Sequence, residues 1–537
     1  MSDSPGKLSA DLRISKTFKY TPIFKNSFIR QKKEQKRGCC RSNISRITGY
    51  ILLIFTFVFS LIGTGFLWGT NIFQSSIHEN LVLKNNSQAF EWWRKPPVQP
   101  VLRVYIFNYT NMESFLAGEE KARVEEIGPY TYIEKLEKVN VVFNKNSTIS
   151  FQESRSYEFV PEKSIGSELD EVVVPNIPLI SAVSTMKDQF YLVKLSLAAL
   201  LNTIQAKPFV TVNIKDLLWG YNDPLFTVGR TVLALKEEIP YDRFGLFVTR
   251  NGTSSKRVTI NSGQFDITQL GVISSYNGRE RIDFWNSDEC NRIDGTEGVM
   301  FPPHLVNTNS TLHIYNQEMC RRFPLVFKEH TTVYDDIPTL RFHQPRNVFD
   351  HPDKNPENAC YCHPHLESCP PSGVFNASPC AFNAPIMVSF PHFYLGDPIL
   401  LEAVDGLKPD PELHDSYVDM HPKLGVPLAG QSRVQINIMV RKASGIQHLD
   451  AFEDGIILPI AWASIGLDDM PYYLQRMFYH ITFSARAFQL ILMYGLPVLA
   501  LVTGCVLYAL SRRRWRTKQP RMITANLTIP PPEDVTP

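Results

Sequence analysis

Two stretches of this chain carry no formal charge. Between Arg46 and His78 tyrosine is the only ionisable residue, and residues 47–70 read ITGYILLIFTFVFSLIGTGFLWGT. A second uncharged run, residues 487–511, lies between Arg486 and Arg512. A helix of about 24 residues, rising 1.5 Å per residue, reaches roughly 36 Å, enough to cross a bilayer core of about 30 Å with some tilt. Buried helices of soluble proteins rarely run so far without a charge. A cleaved signal peptide fits the first run poorly, because its apolar region is too long and 46 residues precede it.

Between these runs the periodicity shortens to two. Arg433–Val440 alternates polar and apolar residues and predicts a strand with one buried face. Leu102–Phe107, Val139–Phe143 and Phe226–Leu235 are rich in β-branched and aromatic residues and read as further strands, separated by turn residues such as Tyr221-Asn222-Asp223-Pro224 and Asn277-Gly278. Strands and helices do not alternate regularly, which disfavours a parallel α/β sheet. One segment breaks the β pattern: residues 188–207, DQFYLVKLSLAALLNTIQAK, read as a helix too short and too interrupted by Lys194 to span a membrane. It is either an amphipathic helix packed on the β core or an exposed apolar surface beside Lys187 and Lys194. The second would suit amphipathic ligands carrying an anion.

Charge orients the spans. Residues 1–46 hold twelve Lys/Arg and three Asp/Glu, a balance of +9, and residues 512–537 hold six and two, a balance of +4. Both tails are therefore expected in the cytosol. Since the whole chain sums to +2, the intervening residues 71–486 carry −11 and form an extracellular or lumenal ectodomain. The organisation expected is a basic tail (1–46), a span (47–70), an ectodomain (71–486), a second span (487–511) and a basic tail (512–537). Over all 537 residues the hydrophobic share is 44% and the charged share 20%, with a mean hydropathy of −0.14. These values exclude a disordered chain and argue against a polytopic transporter, while the net charge argues against a basic nucleic-acid binder.

Six Asn-x-Ser/Thr acceptors fall in the ectodomain, at Asn85, Asn108, Asn146, Asn251, Asn309 and Asn376. Two others, at Asn43 and Asn526, lie in the tails and should stay unmodified. Six of the nine cysteines, Cys290, Cys320, Cys360, Cys362, Cys369 and Cys380, sit within residues 290–380. In a secreted domain they read as three disulfides among 15 pairings. The cluster Cys360-Tyr-Cys362-His363-Pro-His365 offers a zinc site as the rival, which an oxidising compartment disfavours. Cys39 and Cys40, in basic sequence before the first span, are candidates for fatty acylation, and Cys505 reads as a small packing residue within the second.

Several motifs then occur in a specific order: residues 128–132 (GPYTY), 217–224 (LLWGYNDP), 290–296 (CNRIDGT), 301–303 (FPP), 355–362 (NPENACYC), 389–393 (SFPHF) and 405–407 (DGL). With the two terminal spans, this order resembles the class B scavenger receptor family across roughly residues 45–512. The family includes a fatty-acid translocase, a high-density-lipoprotein receptor and a lysosomal integral membrane protein. The resemblance implies a mainly β ectodomain: a large antiparallel barrel-like core with a membrane-distal helical cap spanning about 180–220 and a hydrophobic tunnel that conducts lipid. It also implies the pairs Cys290–Cys360, Cys320–Cys380 and Cys362–Cys369. A lysine near the end of the cap segment contributes to ligand binding in some members; Lys207 is the candidate counterpart, with Lys194 the alternative. Lys187, Phe190, Tyr191, Lys194 and Lys207 are thus the candidate ligand contacts.

The functional expectation is a non-enzymatic receptor. The chain has no Gly-x-Ser-x-Gly elbow, His-Glu-x-x-His helix or phosphate-cradling GxxxxGK[ST] loop, and no cofactor or metal is expected. Its expected partners are lipids, lipoprotein or debris particles and the bilayer, with endocytic adaptors and a second copy of the chain as further candidates and no nucleic acid. Tyr20-Thr21-Pro22-Ile23 fits the Tyr-x-x-apolar pattern that endocytic adaptors read, with Tyr20 and Ile23 as its anchors. The expected residence is the plasma membrane. The alternative is an endolysosomal membrane protein that exports lipid or carries a lumenal protein. The carboxyl tail lacks the acidic dileucine signal of the lysosomal member, and the long amino tail departs from the short family tail.

Overall fold

The computed structural model describes residues 27–233, 241–334, 336–362 and 368–518. Contacts divide the chain into two units, Phe73–Ala485 and the two terminal segments. The larger unit is built on a sheet of fifteen strands. Eleven of them form its path: β1 (Val101–Tyr109), β2 (Ala122–Phe143), β3 (Thr148–Phe159), β4 (Val258–Asn261), β5 (Ile273–Tyr276), β6 (Leu312–Asn316), β7 (Arg321–Val333), β8 (Ile337–His343), β9 (Tyr417–Met420), β10 (Pro427–Met439) and β11 (Ile457–Gly466). Their order is β5-β4-β3-β2-β1-β11-β10-β9-β8-β7-β6, and each neighbouring pair is antiparallel. The chain starts in the middle, walks to one edge, restarts at the other edge and walks back. The first and last strands consequently lie side by side, with Val104 opposite Ala463.

The two edges are stitched together. Ile273 N of β5 donates to Gly295 O at 2.9 Å, Thr296 N donates to His313 O at 2.9 Å, and Tyr315 N of β6 donates to Thr296 O at 3.0 Å. Gly295 is required there, because a Cβ would sit 2.9 Å from His313 O and 3.0 Å from Tyr315 N. Residues 295–296 thus bridge the two edges through isolated pairings, which gives the sheet its barrel-like character.

Two expectations about elements need correction. Residues 224–233 form a helix, not a strand: Asp223 Oδ1 accepts from Phe226 N at 2.8 Å, and Pro224 occupies the first helical position. The Asn-Asp-Pro sequence read as a turn is a helix start. Secondly, β10 does not have a solvent-facing polar side. Gln435 and Asn437 are fully buried: Asn437 Nδ2 donates at 3.0 Å to Ser389 Oγ on the strand Ile386–Ser389, which pairs beside this part of β10, and Gln435 Oε1 accepts from His392 N at 2.6 Å.

The second unit contains the terminal helices Ser27–Gly69 and Ala485–Lys518, whose apolar stretches are long enough to cross a membrane. They pack on small residues. A Cβ on Gly63 would meet Leu496, one on Gly504 would meet Phe57, and Trp68 Nε1 donates to Met493 O at 2.9 Å. Cys505, expected as a packing residue, is exposed, since Ala500, Thr503 and Gly504 take the packing face. Cys39 and Cys40 fall on the first helix ahead of its apolar part, which begins at Ser45. Tyr20 and Ile23 lie outside the described residues.

Candidate functional site

The helical excursion is clamped at its root. Strand Glu171–Pro175 pairs antiparallel with Phe209–Asn213, placing Pro175 opposite Phe209. Asn176 then ties both ends together: its N–H donates to Pro208 O at 2.7 Å and its Nδ2 to Lys207 O at 2.9 Å, while its Oδ1 caps the next helix by accepting from Leu179 N. Helix α1 (Ile177–Thr185) buries Ile177, Leu179, Ile180 and Val183, and helix α2 (Tyr191–Thr203) follows.

Helix α2 is split along its length. Its second half buries Ala198 and Leu201. Its first half faces outward, with Phe190 84%, Tyr191 65% and Leu192 74% exposed and Val193 and Leu195 also open. Five large apolar side chains within six residues make a surface that monomeric soluble proteins seldom leave uncovered. Both readings of residues 188–207 therefore hold, each for half of the helix.

Two lysines hold this tip against a distant part of the chain. Lys187 Nζ lies 3.3 Å from Asp454 Oδ2, and Lys194 Nζ donates to Ser444 Oγ at 3.4 Å. Tyr191 would touch a Cβ on Gly445. Burial raises the Asp454 carboxyl, but the Lys442 amide and Lys187 outweigh it and hold it below its usual range. Lys207 is exposed at the clamped root, beyond the far end of the 13-residue helix from Lys187. The five candidate contacts thus split into a tip group (Lys187, Phe190, Tyr191, Lys194) and an isolated Lys207. Ser444, Gly445 and Asp454 were missed, since nothing in their local pattern marks them.

Outside the tip, a cavity of about 640 Å³ lies over β1 and β8–β11, lined by Arg103, Tyr334, Arg341, Tyr417, Asp419 and Asp468. Its walls are polar and internally paired: Arg103 bonds Asp468 at 2.6 Å and Arg341 bonds both oxygens of Asp419 at 2.8 Å. Among the described residues no cluster of metal-ligating groups occurs. Cys290–Cys360, Cys320–Cys380 and Cys362–Cys369 are joined as disulfides. Beside them the buried Arg321 donates to Asn358 Oδ1 at 2.8 Å and Val348 O at 3.1 Å, with its guanidinium over Tyr361, Phe375 and Phe323. Asn85, Asn146, Asn251 and Asn309 are exposed, Asn108 is half-buried in β1, and Asn376 is buried with its Oδ1 accepting from Ser378.

The pattern of the CD36 family matches residues 51–511, from inside one terminal helix to inside the other. The chain belongs to the CD36 family. Scavenger receptor class B member 1 of Bos taurus is 36% identical over 393 residues, covering 73% of this chain and 75% of the relative. Lysosome membrane protein 2 of Homo sapiens is 34% identical over 407 residues, covering 75% and 81%. As the resemblance implied, a large antiparallel β unit with helices is flanked in the sequence by two terminal helices long and apolar enough to cross a membrane. The chain is a membrane protein of two spans.

Proposed function

We propose that this CD36-family protein is a scavenger receptor that captures lipoproteins, lipid particles or cell debris on the α2 tip. It then passes lipid, such as a fatty acid or sterol, through an apolar tunnel in the barrel to the membrane. The observation that carries this reading is the apolar run Phe190–Leu195, held outward and flanked by Lys187 and Lys194. Hydrocarbon in water is unfavourable by about 0.8 kcal/mol per CH₂, so an exposed apolar surface gains by covering it, and the lysines favour anionic head groups. A passage down a lipid gradient needs neither a nucleotide nor a catalytic group, which supports a receptor over an enzyme.

The kinship with Lysosome membrane protein 2 favours a second reading, in which the protein works in the endolysosomal membrane and exports lipid or carries a lumenal protein. One experiment separates the two. In cells expressing the full chain, the surface fraction is imaged while uptake of labelled lipid from lipoprotein is scored. Surface residence, with uptake lost in the double variant Phe190→Ser, Leu192→Ser, supports the first reading. A purely lumenal protein with unchanged uptake removes it.

A further inference from the structure

Residues 391–414 cross the face of β1, β10 and β11 that carries Phe107, Gln435 and Trp462. Val404 and Asp405 anchor the segment by pairing with Ala122 and Arg123 of β2, and Phe393, Leu400 and Val404 are buried. Two histidines, one on each side of this anchor, fasten the rest. His392 Nε2 donates to Glu126 Oε2 at 2.5 Å, and the same oxygen accepts from Trp462 Nε1 at 2.6 Å. The His392 ring meets Phe107 edge-on at 5.1 Å. His414 stacks on it, with centroids 4.6 Å apart and planes 18° from parallel, and meets Trp462 edge-on at 5.6 Å. Both histidines are about 95% buried (5% and 4% exposed).

The decisive detail is on the other ring nitrogens. Lys408 N donates to His392 Nδ1 at 3.0 Å, and Asp410 N donates to His414 Nδ1 at 2.8 Å. Each imidazole therefore serves as an acceptor for a backbone N–H. A proton added at Nδ1 would set N–H against N–H and remove the bond, and two stacked rings cannot both carry charge without strong repulsion. The charges facing His414 are divided. Burial, His392 and Arg433 disfavour its cation, while Glu126 and Asp410 favour it; the balance holds the imidazole down at about 4. Glu126 is raised by burial, but the His392 and Trp462 donors outweigh this and keep it ionised.

We propose that residues 408–414 are an acid-released strap: a proton from solvent taken by His414 Nδ1 displaces the Asp410 amide, unstacks His414 from His392 and frees residues 408–414 from the sheet. Release uncovers Trp462, which His414 meets edge-on in the closed state. The strap is closed near neutral pH, and its open fraction rises as pH falls from about 6.5 toward 4.

Amide hydrogen exchange of the full-length protein in lipid nanodiscs, corrected for intrinsic rates, tests this at pH 7.4 and pH 5. The amides of Lys408 and Asp410 should lose protection at least tenfold at pH 5, while those of Val434 and Ala463 in the central strands keep theirs. His414→Gln, whose amide oxygen can accept the Asp410 N–H but cannot take up a charge, should keep the strap protected at pH 5. Unchanged protection in the wild type overturns the proposal, as does simultaneous loss in the strap and the central strands. If His414→Gln does not fold, the wild-type comparison decides alone.

Discussion

The α2 tip and the cystine region solve opposite problems within one unit. At the tip, apolar side chains face out, and two lysine contacts to Asp454 and Ser444 hold them. Between residues 290 and 380 a cation faces in, wrapped by Tyr361, Phe375 and Phe323, and three disulfides hold the surrounding loops. The two belong to separate hydrophobic clusters: Ala198 and Leu201 share one with Val104 and Ile106, whereas Phe323 and Phe375 share another with Trp285 and Phe349. Stability is thus concentrated where no ligand surface is exposed, and the exposed surface rests on contacts that contribute little. Substitutions that remove cross-links or buried groups should unfold the protein, and substitutions at the tip should not.

The largest effect should come from the long cross-links. Cys320–Cys380 closes 60 residues, and its loss should remove about 4 kcal/mol in the chain-entropy account. Cys362–Cys369 closes only 7, so its loss should remove about 2 kcal/mol. Thermal midpoints of the double-serine variants of each pair, measured on the full chain, should follow that order. The reverse order would mean that the native contacts, rather than the loops, set the benefit.

Next come single buried side chains, one from each region. Arg321→Ala leaves Asn358 Oδ1 without its donor and empties the aromatic cage, while Val348 O keeps a bond from Asn358 Nδ2; the loss should be about 3 kcal/mol. Leu201→Ala removes a fully buried side chain from the inner half of α2 and should cost about 3 kcal/mol. Equal losses in chemical denaturation would show that the tip helix is rooted as firmly as the cystine region, with only its outer half left free.

Acid should act on buried histidines rather than on the tip: burial pushes His313, within the cystine region, down to about 4, and the same holds for a histidine outside both regions. Burial pushes His421 down to about 4; its Nδ1 accepts from the amides of Lys423 and Leu424, and its Nε2 contacts Thr482 Oγ1. The folded state holds this ring neutral, so its contribution is present above the unfolded value of about 6.5 and is lost as pH falls toward 4. At pH 5 the loss is about 2 kcal/mol, and His421→Gln should flatten the fall in stability between pH 7 and pH 5 by that amount.

How much of this was legible depended on whether the signal was local. The spans were visible because charge vanishes from residues 47–70 and 487–511. The β10 alternation marked a real strand, yet Gln435 and Asn437 are buried and bonded to a segment some 45 residues earlier that no local pattern announces. Asp223-Pro224 was misread because Asp followed by Pro serves both a turn and a helix start. Spacing left the six cysteines with 15 pairings, and only kinship narrowed them. For residues 188–207, helical periodicity gave the element but not its exposure. The neighbours that leave the outer half open, Ser444 to Asp454, lie about 250 residues away.

The smallest stability effect should accompany the largest functional one. Phe190 and Leu192 are 84% and 74% exposed, so Phe190→Ser with Leu192→Ser removes almost no buried area. Unfolding free energy should change by no more than about 0.5 kcal/mol, as for surface substitutions elsewhere. Binding of the full chain to lipoprotein particles should nevertheless fall at least tenfold, because covering those side chains is the gain that drives capture. A control at the same helix, Ser196→Ala, alters an exposed hydroxyl that donates to Leu192 O within its own helix and should leave binding unchanged. If the double variant binds normally, the exposed tip is not the capture surface. If it binds poorly but also loses several kcal/mol, the outer half of α2 supports the fold after all, and the contrast between the two regions fails.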